Sequence, residues 1–173
     1  DPAKVSSIIV NESEGKKPKT MPQFLAIPGN PDGVEVSPVD GKVYVNTVGP
    51  VAGAPDPANG GIYAISDMST LPSPFDGGLG ALDGLDFTAN GTMINTQIRN
   101  DIPARLYVNC IGQEATTLEL VPHTELSGPA DVAIRQMSDG SYMVVVPELM
   151  ARDNTPGDDE VTVLALPSNF DCR

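Results

Sequence analysis

The sequence predicts an all-β fold, built as a β-propeller-like array of three four-stranded antiparallel blades. Three observations support this prediction. A pattern of strand, tight turn and strand recurs about every 50 residues, which is a period typical of propeller blades. Asp-Gly or Asn-Gly stands at the turn of each repeat, and this dipeptide is a strong hairpin signal. Gly and Pro each occur 17 times in 173 residues, which makes long helices improbable.

Each repeat starts with a short innermost strand and continues through a turn glycine into a second strand, a variable loop and a third strand. The turn glycines are Gly41, Gly91 and Gly140. Glycine suits these turns because it adopts the positive φ that a tight hairpin requires. Two more β-favouring runs, at 23–27 and 116–121, precede the first and third repeats. We expect each of them to be the outermost strand of a preceding sheet.

This organisation predicts a three-blade domain at 23–173, preceded by an N-terminal arm or partial strand at 1–22. An all-β sandwich of similar hairpins is the alternative architecture, because sandwiches are also built from short antiparallel strands. The first 22 residues are mostly polar and carry no apolar stretch of signal-peptide length. We therefore expect a mature or trimmed chain, and a secreted or periplasmic location.

Composition limits the partners and the chemistry. The formal net charge of −13 opposes binding to nucleic acid and to anionic membranes, because both are negatively charged. One histidine and two cysteines are too few for a zinc site made of imidazoles and thiolates. Oxygen ligands remain, and they favour calcium or magnesium. Cys110 and Cys172 are either a disulfide or two separate thiols, and their spacing does not distinguish these states.

Several short motifs of the repeats resemble one known family. They are Pro-Asp-Gly-Val at 31–34, Leu-Asp-Gly-Leu at 82–85, Gly-Pro-Ala-Asp-Val at 128–132, and the closing stretches at 142–148 and 161–164. Over roughly residues 30–166 the chain is similar to the regucalcin/gluconolactonase family of six-bladed β-propellers and its NHL-repeat relatives. In that family, acids or amides at the start of the innermost strands point into a central tunnel and hold one divalent ion.

The resemblance implies a Ca²⁺ or Mg²⁺ site formed by Asp32, Asp83 and Asp131. Asp32 and Asp83 match the motif directly, whereas Ala130 occupies the matching place in the third repeat and Asp131 follows one residue later. A shift of one residue turns a side chain to the opposite face of a strand. Asp131 therefore reaches the same place only if the backbone bends there. No counterpart of the family's N-terminal glutamate ligand is evident.

Propeller topology also predicts a substrate rim. The loop that enters the innermost strand and the loop between the second and third strands open on the same face of a propeller. The predicted rim residues are Asn46, Asn95, Glu148 and Arg152. The candidate catalytic bases are Asp131, which the resemblance places at the metal, and His123, which lies just before the third repeat.

Two functions follow. The resemblance implies a divalent-metal-dependent hydrolase of the lactonase or esterase type, acting on a small-molecule lactone. The alternative is a non-catalytic, propeller-like module that binds a ligand or serves as a scaffold. Three repeats are only about half of a six-bladed ring, and an open arc exposes sheet faces. We therefore expect a second chain to complete the ring, either another copy or a missing N-terminal half.

Overall fold

The computed structural model confirms the all-β fold. It describes residues 4–6, 24–49, 60–66, 74–77, 79–98, 105–111, 118–119, 126, 128–148 and 160–172. These residues form antiparallel β-sheets and one short 3-10 helix, Ser168–Phe170. Within those ranges, no helix has the length and apolar character needed to cross a membrane.

The strands form three consecutive blades after a small N-terminal sheet. That small sheet pairs β1 (Lys4–Ser6) with β2 (Phe24–Ala26). Blade 1 contains β3 (Pro31–Val36), β4 (Val43–Thr47), β5 (Gly61–Ile65) and β6 (Pro74–Gly77). Blade 2 contains β7 (Leu82–Phe87), β8 (Thr92–Gln97), β9 (Arg105–Cys110) and β10 (Leu118–Glu119). Blade 3 contains β11 (Ala133–Gln136), β12 (Tyr142–Glu148) and β13 (Glu160–Leu166). Each blade pairs its strands in chain order.

The outermost strands differ in part from the prediction. The run at 116–121 supplies β10, which pairs with β9 as the outermost strand of the sheet before the third repeat. The run at 23–27 supplies β2, whose partner is β1 from the predicted N-terminal arm, so it does not extend a blade. Blade 3 has three strands among the described residues, where the sequence predicts four.

The three predicted turn glycines are at the tips of the inner hairpins. Gly41, Gly91 and Gly140 have φ values of 69°, 86° and 84°. The N–H of each glycine donates a hydrogen bond to a carbonyl at the end of the preceding strand, at 3.0 Å in all three hairpins. This repeated left-handed backbone conformation is the reason for Asp-Gly or Asn-Gly at these positions.

Two apolar seams hold neighbouring blades together. In the first seam, between blades 1 and 2, the buried side chains are Tyr44, Ile62, Leu82, Leu85, Met93 and Tyr107. In the second seam, between blades 2 and 3, they are Ile94, Leu106, Leu126, Val132, Val144 and Val146. Alternate residues of blade 2 therefore face opposite neighbours, as the period of two in a strand requires. The innermost strand β7 contacts both β3 and β11, so the three inner strands lie side by side.

The C-terminal segment fastens blade 3 to blade 2. Cys172 forms a disulfide with Cys110 at the end of β9, which decides the question that the sequence leaves open. The carboxylate of Asp171 accepts hydrogen bonds from Tyr142 Oη of blade 3 at 2.5 Å and from Thr88 Oγ1 of blade 2 at 2.5 Å. Asn90 and Thr92 of the blade 2 hairpin donate to the same carboxylate. Burial acts to raise the pKa of Asp171, but these hydrogen bonds outweigh it and hold that pKa below its usual value.

Candidate functional site

The acidic residues predicted at the starts of the inner strands lie in neighbouring positions. Asp32 is in β3, Asp83 is in β7, and Asp131 lies two residues before the start of β11. Because β7 lies between the other two inner strands, the three carboxylates form one negatively charged group, which we call the axial acid cluster. Their charges act on one another: both Asp32 and Asp131 perturb Asp83.

A β-bulge places each acid of blades 1 and 2. In each bulge, two residues of the inner strand lie opposite one residue of its partner strand. The bulge lies between Pro31 and Val34 in blade 1 and between Leu82 and Leu85 in blade 2. Such an extra residue bends the strand and redirects side chains. Asp32 and Asp83 lie within these bulges.

The third repeat contains an equivalent irregularity. Pro129 lies opposite Glu148, and Ala133 lies opposite Val145. Between these two pairs, three residues of the inner chain lie opposite two residues of β12. The inner chain of blade 3 therefore also carries one extra residue, in the segment that contains Asp131. This is the departure from regular pairing that the displaced position of Asp131 requires.

The glycines after Asp32 and Asp83 are needed for close packing between blades. A Cβ on Gly33 would lie 2.2 Å from the backbone oxygen of Asp83, and a Cβ on Gly84 would lie 2.5 Å from the Cα of Asp131. Both distances are far inside van der Waals contact, so only glycine allows the next inner strand to approach this closely. Asp131 thus holds the same place against blade 2 that Asp83 holds against blade 1, despite its shift in sequence.

The electrostatics of the cluster disfavour three negative charges. Burial, followed by the charges of Asp32 and then Asp131, raises the pKa of Asp83 to about 7. Burial and the charge of Asp131 also raise the pKa of Asp32. A carboxyl group surrounded by like charges takes up a proton unless a cation neutralises it. At neutral pH, Asp83 is therefore divided between its protonated and its ionised form.

Asp86 is a further acidic residue of this region that the sequence analysis missed. Its carboxylate accepts hydrogen bonds from the backbone N–H groups of Ile134 at 2.6 Å and Phe87 at 2.7 Å. Burial raises its pKa, although the two hydrogen bonds act in the opposite direction. Asp86 therefore connects the inner strands of blades 2 and 3. Its place three residues after Asp83 on the same strand is the signal that could have identified it.

Three of the four predicted rim residues have buried side chains, so they do not form a solvent-facing rim. Asn46 and Asn95 are wholly buried and Glu148 is nearly so, because their side chains lie within the packed sheets. Asn46 Nδ2 donates to the backbone oxygens of Asp83 and Gly84, at 3.2 and 3.0 Å. Asn95 Nδ2 donates to Asn109 Oδ1 at 3.0 Å.

Glu148 accepts a hydrogen bond from Thr162 Oγ1. The remaining predicted rim residue, Arg152, and the second candidate base, His123, lie outside the described residues.

The donor atoms near the axial acid cluster suit a hard cation. They are carboxylate oxygens and the buried Oδ1 of Asn46, which has no hydrogen-bond partner among the residues that the structure describes. The amide group of Asn46 contacts the backbone of Asp83. Oxygen donors of this kind bind calcium and magnesium. Among the side chains that the structure describes, however, no group of three or more Asp, Glu, His or Cys residues is arranged to hold a metal ion.

Two comparisons with known proteins found no match. A scan against protein-family models found no match to the chain, and a search of curated proteins found no similar sequence. The functional conclusions therefore depend on the fold and on the geometry of the axial acid cluster.

Proposed function

We propose that this chain is a propeller-like module that binds a divalent cation, Ca²⁺ or Mg²⁺, at the axial acid cluster. The observation that carries the proposal is the close approach of the three inner strands, which brings the charges of Asp32 and Asp131 to act on Asp83 and so raises the pKa of Asp83. A cation at this place would remove the repulsion that now favours protonation. Asp32, Asp83 and Asp131 are the residues that would hold it.

The binding is expected to be weak and hydrated. The described carboxylates do not form a complete set of ligands for one ion, so water molecules fill the remaining coordination positions. Calcium sites with few fixed ligands in extracellular modules have dissociation constants of about 10⁻⁴ to 10⁻³ M. We expect the affinity of this cluster to fall in the same range.

A secreted or periplasmic location agrees with this proposal. The Cys110–Cys172 disulfide supports it, because structural disulfides persist in oxidising compartments. Calcium sites of extracellular modules also have affinities as weak as the one expected here.

Hydrolysis of a small lactone or ester is the second candidate function, and it rests on the same pKa. A general base works best when its pKa lies near the working pH, and Asp83 meets this condition while no cation neutralises the charges around it. Asp83 would accept a proton from water as that water attacks the carbonyl carbon, and it would return the proton to the leaving oxygen as the acyl C–O bond breaks. A bound cation would supply Lewis acidity to the carbonyl oxygen. Asp83 is thus a better-supported base than Asp131 or His123.

The test of cation binding is thermal unfolding of protein stripped with a chelator, at pH 8, with and without millimolar Ca²⁺ or Mg²⁺. Calcium or magnesium should raise the Tm of the native chain, because the cation binds the folded state. Asp83→Asn should abolish most of this shift. Asp139→Asn is the matched control, because Asp139 is an exposed acid at the tip of the blade 3 hairpin.

Equal shifts in the native chain and in Asp83→Asn would overturn the proposed site. Lactone turnover needs its own assay, in which Asp83→Asn should abolish a cation-dependent rate. Cation binding without turnover supports the non-catalytic module and rejects the hydrolase.

A further inference from the structure

The small N-terminal sheet is connected to blade 1 in the same way as blade 1 is connected to blade 2. Residues 27–30 join β2 to β3, and residues 78–81 join β6 to β7, so the two connections have equal length. Gly29 and Gly80 hold the same place in these connections and have the same φ of 87°. β2 therefore holds the position of an outermost strand, and its partner β1 holds that of a third strand. We call this pair of strands the half-blade.

The half-blade covers the outer part of one face of blade 1. Leu25 of β2 and Ile27, which follows β2, are buried in a cluster with Val45 of β4 and Ile65 of β5. These contacts form a further apolar seam, which the half-blade shares with the second and third strands of blade 1. A partner that completed the half-blade would therefore extend a contact that already exists within this chain.

The inner part of the same face is open. Residues opposite one another in antiparallel strands share a face, so Val34 of β3 lies on the same side of blade 1 as Val45. Val36 lies two residues further along β3 and points to that side as well. Val34 is 57% exposed and Val36 is 55% exposed. Two neighbouring apolar side chains thus face solvent on the strand that the half-blade leaves uncovered.

Blade 2 shows what covers this place when the preceding blade is complete. Leu85 and Phe87 of β7 hold the register positions of Val34 and Val36, counted from the turn glycines. Leu85 is only 5% exposed, and the rings of Phe87 and Tyr44 meet edge to face with their centroids 5.4 Å apart. Tyr44 belongs to β4, and both β3 and β4 contact β7. The first and second strands of a preceding blade are therefore the elements that would cover the two valines.

The free edge of β1 is suited to receive such strands. Among the described residues, β1 pairs only with β2. In blades 1 and 2, the third strand pairs on its other edge with a second strand, antiparallel to it. The backbone N–H and C=O groups along an open edge bind an added strand in the same manner. A strand added antiparallel to β1 would thus take the place of a second strand.

The first strand of the added element needs a glycine at one position. Gly33 lies so close to the backbone of Asp83 in the next blade that a Cβ would not fit between them. A strand placed beside β3 in the same way would meet the backbone of Asp32, so it also needs glycine at this point. In blade 3, Ala133 holds the place of Gly84, counted from the turn glycines. Blade 3 of a second copy therefore does not meet this requirement.

We propose that a two-stranded β-hairpin of another polypeptide completes the half-blade. The second strand of this hairpin pairs with β1, and its apolar or aromatic side chains cover Val34 and Val36. Its first strand carries a glycine beside Asp32. The open edge, the exposed valines and the existing contact between the half-blade and blade 1 all favour this one occupant. The proposal concerns this docking surface alone and does not require cation binding.

The probe for the test is a cyclic peptide with the sequence of residues 31–47. It forms the first hairpin of blade 1, contains Gly33 and Tyr44, and can be cyclised because Pro31 lies opposite Thr47. The labelled peptide is titrated with the 173-residue chain in chelator, and binding is followed by fluorescence anisotropy. The peptide should bind, and hydrogen exchange of the β1 backbone should slow in the complex. The chelator separates this result from any effect of a cation.

Val34→Glu in the full chain should weaken the binding about tenfold or more while keeping the β-sheet circular dichroism spectrum, because it places a charge in the apolar contact. Val163→Glu is the matched control, since Val163 is an equally exposed valine of blade 3, and it should leave binding unchanged.

Two results would overturn the proposal directly. They are no binding at peptide concentrations up to about 1 mM, and equal binding by the native chain and Val34→Glu. Light scattering of the native chain tests the competing occupant. A mass of two chains that Val34→Glu reduces to one would place a second copy on this surface, and this result would also overturn the proposal.

Discussion

Replacing Asp83 by asparagine should stabilise the protein, and the gain should grow as the pH rises from about 4 to about 7. The substitution keeps the size of the side chain and removes the charge that burial, Asp32 and Asp131 oppose. Raising the pKa from 3.8 to about 7 lowers the free energy of unfolding by at most about 4 kcal/mol when Asp83 is ionised, because each pKa unit corresponds to about 1.4 kcal/mol. Because solvent reaches part of the side chain and screens the charges, we expect about 1 to 2 kcal/mol.

The pH dependence follows from the direction of the shift. The folded state holds its proton on Asp83 up to about pH 7, whereas the unfolded state loses it near pH 4. Between these values the folded state binds more protons, so native stability falls as pH rises. The penalty is complete above pH 7. At pH 4 and below, native Asp83 is neutral in both states, and Asp83→Asn should give no gain.

Thermal unfolding in chelator at pH 5 and at pH 8 measures both expectations. For a domain of this length, about 1 to 2 kcal/mol corresponds to a Tm increase of about 2 to 8 °C at pH 8. The increase should be smaller at pH 5. Asp139→Asn should show no such difference between the two pH values, because hydrogen bonds from Ser141 lower the pKa of Asp139. A loss of stability in Asp83→Asn at pH 8, or an equal gain at both pH values, would refute the reasoning.

Three other predictions concern the packing and the C-terminal fastening. Gly84→Ala should lower the free energy of unfolding by about 1 to 3 kcal/mol in urea titrations, because its Cβ would enter the backbone of the segment that contains Asp131. An unchanged free energy of unfolding would contradict the close approach. Asp171→Asn should lower the Tm at pH 7. The difference from the native chain should shrink as the pH falls below about 4, because Asp171 then becomes protonated as the pH passes its lowered pKa. A difference independent of pH would exclude the charge of Asp171 as the cause. Cys172→Ser should lower the free energy of unfolding by about 2 to 4 kcal/mol relative to oxidised native protein, and its stability should equal that of native protein in reductant. An unchanged free energy of unfolding would show that the Cys110–Cys172 disulfide does not stabilise the fold.

The features that the sequence predicts well are those set by local backbone chemistry. The turn glycines require positive φ, and the Asp-Gly pairs of the inner strands recur at the same spacing, so both could be read directly from the repeats. β6 could not be predicted in this way, because Pro74–Gly77 contains proline, aspartate and glycine, which strands generally disfavour. This strand forms because β5 offers it an open edge.

The features that the sequence misses depend on contacts between blades. Asn46 and Asn95 sit at the ends of strands, and nothing local shows that neighbouring sheets bury them. The hydrogen bond from the N–H of Ile134 to the carboxylate of Asp86 spans 48 residues of sequence, and the Cys110–Cys172 disulfide spans 62. Only the relative placement of the blades brings such partners together, so the sequence predicted the axial acids but not the polar contacts around them.

The central claim is that three neighbouring inner strands gather Asp32, Asp83 and Asp131 into one interacting group. The most direct test is a carbon-13 NMR titration of the aspartate carboxyl groups in cation-free protein, with the Asp83 signal assigned from its absence in Asp83→Asn. The account predicts a pKa of about 7 for Asp83, and a lower value in Asp131→Asn. An Asp83 pKa near 4, unchanged by Asp131→Asn, would contradict it.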